Sequence, residues 1–86
     1  MARKINNTKG FEIVEVNLLE IRSWGGFGIC DFCSEFTPNQ YFVAVLNQCL
    51  CRKCLNSFLE RQTPYPEDRW YEEQKIAWIQ KYVTIE

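Results

Sequence analysis

The sequence predicts a small α+β domain that is stapled by a metal rather than held by a large core. Three observations carry that expectation. The chain has 86 residues and a net charge of −1, enough for one domain with a limited hydrophobic core. Apolar residues recur at strand spacing in its first half and at helical spacing in its second. Two CxxC pairs, Cys30-Asp31-Phe32-Cys33 and Cys51-Arg52-Lys53-Cys54, stand 17 residues apart. That separation suits a four-thiolate site that small domains use in place of core.

Residues 1–10 are polar and predict a flexible arm ahead of a single domain over residues 11–86. Residues 11–21 (FEIVEVNLLEI) alternate through Val14, Val16 and Leu18 and predict a strand. Leu18, Leu19 and Ile21 also fit a helical turn. Trp24-Gly25-Gly26-Phe27-Gly28 ends regular structure, because glycine supplies freedom at positive φ. Residues 41–46 (YFVAVL) are aromatic and β-branched and predict a second strand. Asn47-Gln48 turns it into a return strand over Cys49 and Leu50. From Cys54 to about Gln62, Leu55, Phe58 and Leu59 share one helical face. Pro64 and Pro66 stop that helix. A C-terminal amphipathic helix then spans about 66–83, with Glu67 and Asp68 at the positive end of its dipole.

Each CxxC places two sulfurs on one tight turn, so Cys30, Cys33, Cys51 and Cys54 can reach a single ion at about 2.3 Å. Four thiolates around tetrahedral zinc leave no position for water or substrate, which predicts one structural zinc ion. Disulfides are the competing use. The polar N-terminus offers no signal peptide, no long apolar run suggests a membrane span, and five cysteines is an odd number. The expectation is therefore a cytoplasmic protein with reduced thiols.

The order knuckle, β-hairpin, knuckle, helix resembles the treble-clef zinc finger over residues 28–62. It is most similar in look to the small N-terminal zinc-binding domain of ClpX unfoldases. The resemblance implies that Cys30 and Cys33 sit on a zinc knuckle. Cys51 and Cys54 would straddle the hairpin end and the first helical turn. Ser34 departs from the pattern, standing where such knuckles often carry glycine. Treble clefs serve protein, DNA and RNA partners alike, so the resemblance implies a fold and a metal but no single function. Members of the ClpX-like group dimerise, which adds a homodimer to the expectations.

Three further features bear on partners. Cys49 is the fifth thiol, read as a small buried hydrophobe, with a spare ligand or a redox thiol as alternatives. Arg52 and Lys53 lie inside the second pair, either balancing thiolate charge or contacting an acidic partner or phosphate. On the C-terminal helix, Tyr71, Trp78 and Tyr82 form a stripe beside Trp70. That stripe either covers the strand at 11–21 or the Trp24/Phe27 cluster, or it serves as an interface.

Catalysis is disfavoured, because the chain has no histidine and a saturated metal has no open position. A non-catalytic protein-binding module, acting as an adaptor, inhibitor or accessory factor, fits the near-neutral charge and the 15% aromatic content. Nucleic-acid binding is the alternative. It draws on Arg3, Lys4, Lys9 and the basic second pair, against an acidic C-terminal part.

Overall fold

The computed structural model describes residues 2–5, 7, 9–26 and 28–85. Phe27, expected beside Trp24, lies outside the described residues, as do Met1, Asn6 and Thr8 of the arm. Four strands, β1 (Arg3–Lys4), β2 (Ile13–Asn17), β3 (Asn39–Val43) and β4 (Gln48–Leu50), form one antiparallel sheet in that order. Among the described residues three α-helices accompany it: α1 (Leu18–Ser23), α2 (Arg52–Arg61) and α3 (Arg69–Ile79).

Strand alternation gives the sheet two apolar faces. Val14 lies opposite Phe42, which lies opposite Cys49. These three pack with Val16, Ile21 of α1 and Ile76 and Ile79 of α3 in one buried cluster. The neighbouring positions pair Ile13 with Val43 and Tyr41 with Leu50. They form a second cluster with Leu55 and Phe58 of α2 and with Cys30, Cys51 and Cys54. The sheet is thus a middle layer between α3 and the cysteine-bearing elements, each face covered by a helix too short to be stable alone.

Within residues 1–10, where a flexible arm was expected, Arg3–Lys4 form an added strand. Arg3 and Lys4 pair with Glu15 and Val14 in the ladder. Arg3 Nε contacts Glu15 Oε1 at 3.0 Å, and Lys4 Nζ contacts Glu12 Oε2 at 3.3 Å. Ile5 N–H donates to Ile13 O at 2.9 Å. A two-residue charged strand has no hydrophobic period to announce it, so only its distant partners define it.

The strand expected through residue 21 ends at Asn17, where a capping box starts α1. Asn17 Oδ1 accepts the Glu20 N–H at 2.9 Å, and Glu20 Oε1 accepts the Asn17 N–H at 3.0 Å. Satisfying two orphan donors in this reciprocal way favours helix over continued strand. The hairpin forms in the expected region, but β3 spans Asn39–Val43 rather than 41–46, and residues 44–47 make the turn, with Gln48 already in β4; α2 starts at Arg52 rather than Cys54. The C-terminal helix is shorter than expected. A 3₁₀ turn at Pro66–Asp68 leads into α3, and the α-helix stops at Ile79. Its buried positions are Glu72, Ile76 and Ile79, not the aromatic stripe. Among the described residues, no helix is long and apolar enough to cross a membrane.

Candidate metal centre

The first CxxC sits on a tight hairpin-like loop. Ile29 and Phe36 bridge its base, Cys30 N–H donates to Glu35 O at 2.9 Å, and Ser34 N–H donates to Cys30 O at 2.9 Å. Ser34 holds φ at 65°, in the left-handed region that favours glycine. The position that departs from the usual glycine therefore still takes the glycine-like backbone. The second pair lies where β4 runs into α2. Cys51 is the N-cap residue, and its carbonyl accepts the Leu55 N–H at 2.9 Å. Cys54 then turns back from the first helical turn toward Cys51.

Asp31 locks the two halves together. Its backbone N–H donates to Cys49 O at 2.9 Å, and its carboxylate Oδ2 accepts the Cys49 N–H at 2.9 Å. Both groups come from the outer edge of β4, so the first knuckle closes that sheet edge while bringing its cysteines over Cys51 and Cys54. Gln40 ties down the start of the loop. Its buried Nε2 donates to Gly28 O, while its Oε1 has no partner among the described residues.

The sulfurs of Cys30, Cys33, Cys51 and Cys54 lie within 4.8 Å of one another. The Cys33 and Cys51 sulfurs are 3.7 Å apart. A tetrahedron with arms of about 2.3 Å has edges of about 3.8 Å, so the cluster needs little contraction to hold one ion. Three of these cysteines are buried and Cys33 is exposed. Burial opposes the Cys30 thiolate, but hydrogen bonds from the backbone N–H groups of Cys33, Cys51 and Phe32 outweigh it and lower its pKa to about 6. The Cys54 thiol is pushed up to about 12, first by burial and then by the neighbouring sulfurs. Cys33 is also raised: the Glu35 backbone N–H favours its thiolate, but burial and the Cys30 and Cys51 sulfurs outweigh that bond. A bound dication is what would let these crowded thiols ionise together. The donor set contains sulfur alone, with neither carboxylate nor imidazole in the cluster.

Cys49 stays outside the cluster. It is buried with Val14 and Phe42 on the opposite sheet face, because β4 ends at Leu50 and the backbone turns before Cys51. Burial, with the nearby Asp31 and Cys30 charges, pushes its thiol up to about 12. Arg52 lies over the Tyr41 ring, 5.4 Å from its centroid, while Lys53 is exposed. The aromatic residues of the C-terminal segment divide. Trp78 is half-buried and packs edge-on against Trp24 at 6.2 Å and Tyr82 at 5.4 Å. Trp70 and Tyr82 are exposed, and Trp70 meets Tyr71 edge-on at 6.2 Å.

Asp31, Gln40 and Glu72 were not singled out by the sequence reading. Glu72 is buried and accepts the Glu12 N–H at 2.9 Å, pinning α3 to the chain just before β2. Asp31 lies between the cysteines of the first CxxC, at a position that motif leaves free, and Gln40 and Glu72 belong to no recognisable motif. Comparison with protein-family models, with curated proteins and with solved structures returns no match.

Proposed function

We propose that the chain is a small, non-catalytic zinc-binding module of the treble-clef type that works by binding another protein. The observation that carries this reading is the all-sulfur cluster, four cysteine sulfurs within 4.8 Å of one another. An all-thiolate donor set favours zinc among the common metals, and four ligands saturate it. A saturated ion supports structure and leaves recognition to the surrounding surface. The order of loop, hairpin and helix around the cysteines supports the treble-clef assignment, and the free thiols suit a reducing compartment such as the cytoplasm.

Surface composition favours a protein partner over nucleic acid. Arg3 and Lys4 are engaged with Glu15 and Glu12, and Arg69 also approaches Glu12, which offsets two of the three cations of the arm that would have met phosphates; the third, Lys9, donates to Gln62 O. Large apolar side chains, including Phe32, Phe36, Tyr65 and Trp70, are exposed instead. Aromatic groups of this kind anchor protein interfaces.

Salt dependence separates the two readings. Zinc-loaded protein titrated with labelled single- and double-stranded oligonucleotides should show no binding that strengthens steeply as salt falls. A steep salt slope would replace the protein-binding reading with a nucleic-acid one.

A further inference from the structure

An apolar groove runs between the first knuckle and α2, beside the sulfur cluster. It encloses about 290 Å³ and is lined by Phe32, Leu46, Leu50 and Phe58, with Gln48 and Gln62 among its polar members. Its wall is open to solvent: Phe32 is 68% exposed and Leu46 39%. Core packing does not account for an aromatic ring left standing on a knuckle.

The groove also has a defined polarity. No carboxylate lines it, and Arg61 is its one cationic lining residue. Arg61 Nε donates to Ser57 O on its own helix at 3.2 Å, and the guanidinium lies 5.9 Å from the Phe32 ring centroid. Among the described residues, no acidic side chain forms an ion pair with it. A held but unneutralised guanidinium at the rim of an apolar slot favours an apolar group with a carboxylate close by. The neighbouring sheet edge cannot take an added strand, because Asp31 already occupies the Cys49 N–H and carbonyl. Recognition therefore runs through side chains.

We propose that this groove is the docking site for an extended segment of a partner protein that carries a large apolar side chain beside an acidic residue. The apolar side chain enters between Phe32 and Phe58, and its acidic neighbour pairs with Arg61. The proposal rests on the protein-binding reading above and specifies the chemistry of the partner.

The test is selection of a displayed random-peptide library on the zinc-loaded full chain, with metal content checked before each round. The expected consensus places Leu, Phe or Trp within a residue or two of Asp or Glu. A synthetic consensus peptide should lose about tenfold or more in affinity on Phe32→Ala. Selection on Arg61→Glu should exchange the acidic position for Lys or Arg. Both residues are exposed, and retained zinc reports that the variants still fold.

Failure to enrich any peptide, or a consensus without the acid, would overturn the proposal. A peptide that binds both variants unchanged would also overturn it, while leaving protein binding by another face intact. Self-association abolished by Trp70→Ala would assign the groove to a second copy, since Trp70 stands exposed between Glu67 and Glu73. That result too would overturn the external partner.

Discussion

Replacing Asp31 with alanine should weaken metal binding although Asp31 is not a ligand. Its carboxylate accepts the Cys49 N–H at 2.9 Å, and the backbone bond between the same two residues is also 2.9 Å. The substitution removes a charged acceptor and leaves a donor unsatisfied on a buried residue, which costs about 1.5–3 kcal/mol. The knuckle that carries Cys30 and Cys33 then has one tether to β4 instead of two. If half of that energy is expressed in bringing the halves of the site together, zinc affinity falls by about four- to twelvefold. Competition against a chromophoric chelator measures the change directly. Asp31→Asn keeps an oxygen acceptor and should lose less, and Glu60→Ala on the exposed side of α2 is the neutral control. Equal affinity for wild type and Asp31→Ala would refute the clamp.

Other predictions follow from single positions. Ser34→Gly relieves a left-handed backbone worth roughly 1–2 kcal/mol but adds unfolded-state entropy of roughly 0.5–1 kcal/mol, so denaturant unfolding should show a gain of up to about 1.5 kcal/mol; a clear loss would mean that the side chain matters there. Cys49→Ala should keep one metal per chain and cost about 1 kcal/mol of stability; a stoichiometric loss of metal would make Cys49 a ligand. Near neutral pH the metal-free protein holds Cys30 ionised and the raised Cys33 and Cys54 protonated. Metal must displace protons from Cys33 and Cys54, so apparent affinity should rise between about pH 6 and pH 8. Calorimetric titration in buffers of different ionisation enthalpy reads that proton release, and a pH-independent affinity would contradict it.

What the sequence revealed was local chemistry. The cysteine spacing picked out the four sulfurs that cluster because a CxxC turn needs only its own residues to present two sulfurs. The hairpin and α2 were legible because Tyr41, Phe42 and Val43, then Leu55 and Phe58, carry their periods within a few residues. Long-range pairings were not legible. Arg3 and Lys4 become a strand only when Glu15 and Val14 lie opposite, and Asp31 becomes a clamp only when the knuckle meets β4. At Asn17 two local signals competed, and the capping box with Glu20 overrode the alternation of Val14, Val16 and Leu18. On α3 the sequence left open whether the aromatic stripe was core or interface. The sheet instead receives the compact Ile76 and Ile79, and Glu72 is buried because the Glu12 N–H satisfies it. Residue size and hydropathy alone do not rank those two faces.

X-ray absorption at the zinc edge, on protein purified without added metal, tests the central claim most directly. One zinc per chain surrounded by four sulfurs at about 2.3 Å is the predicted result. A nitrogen or oxygen atom in the inner shell, or a folded chain without zinc, would contradict it.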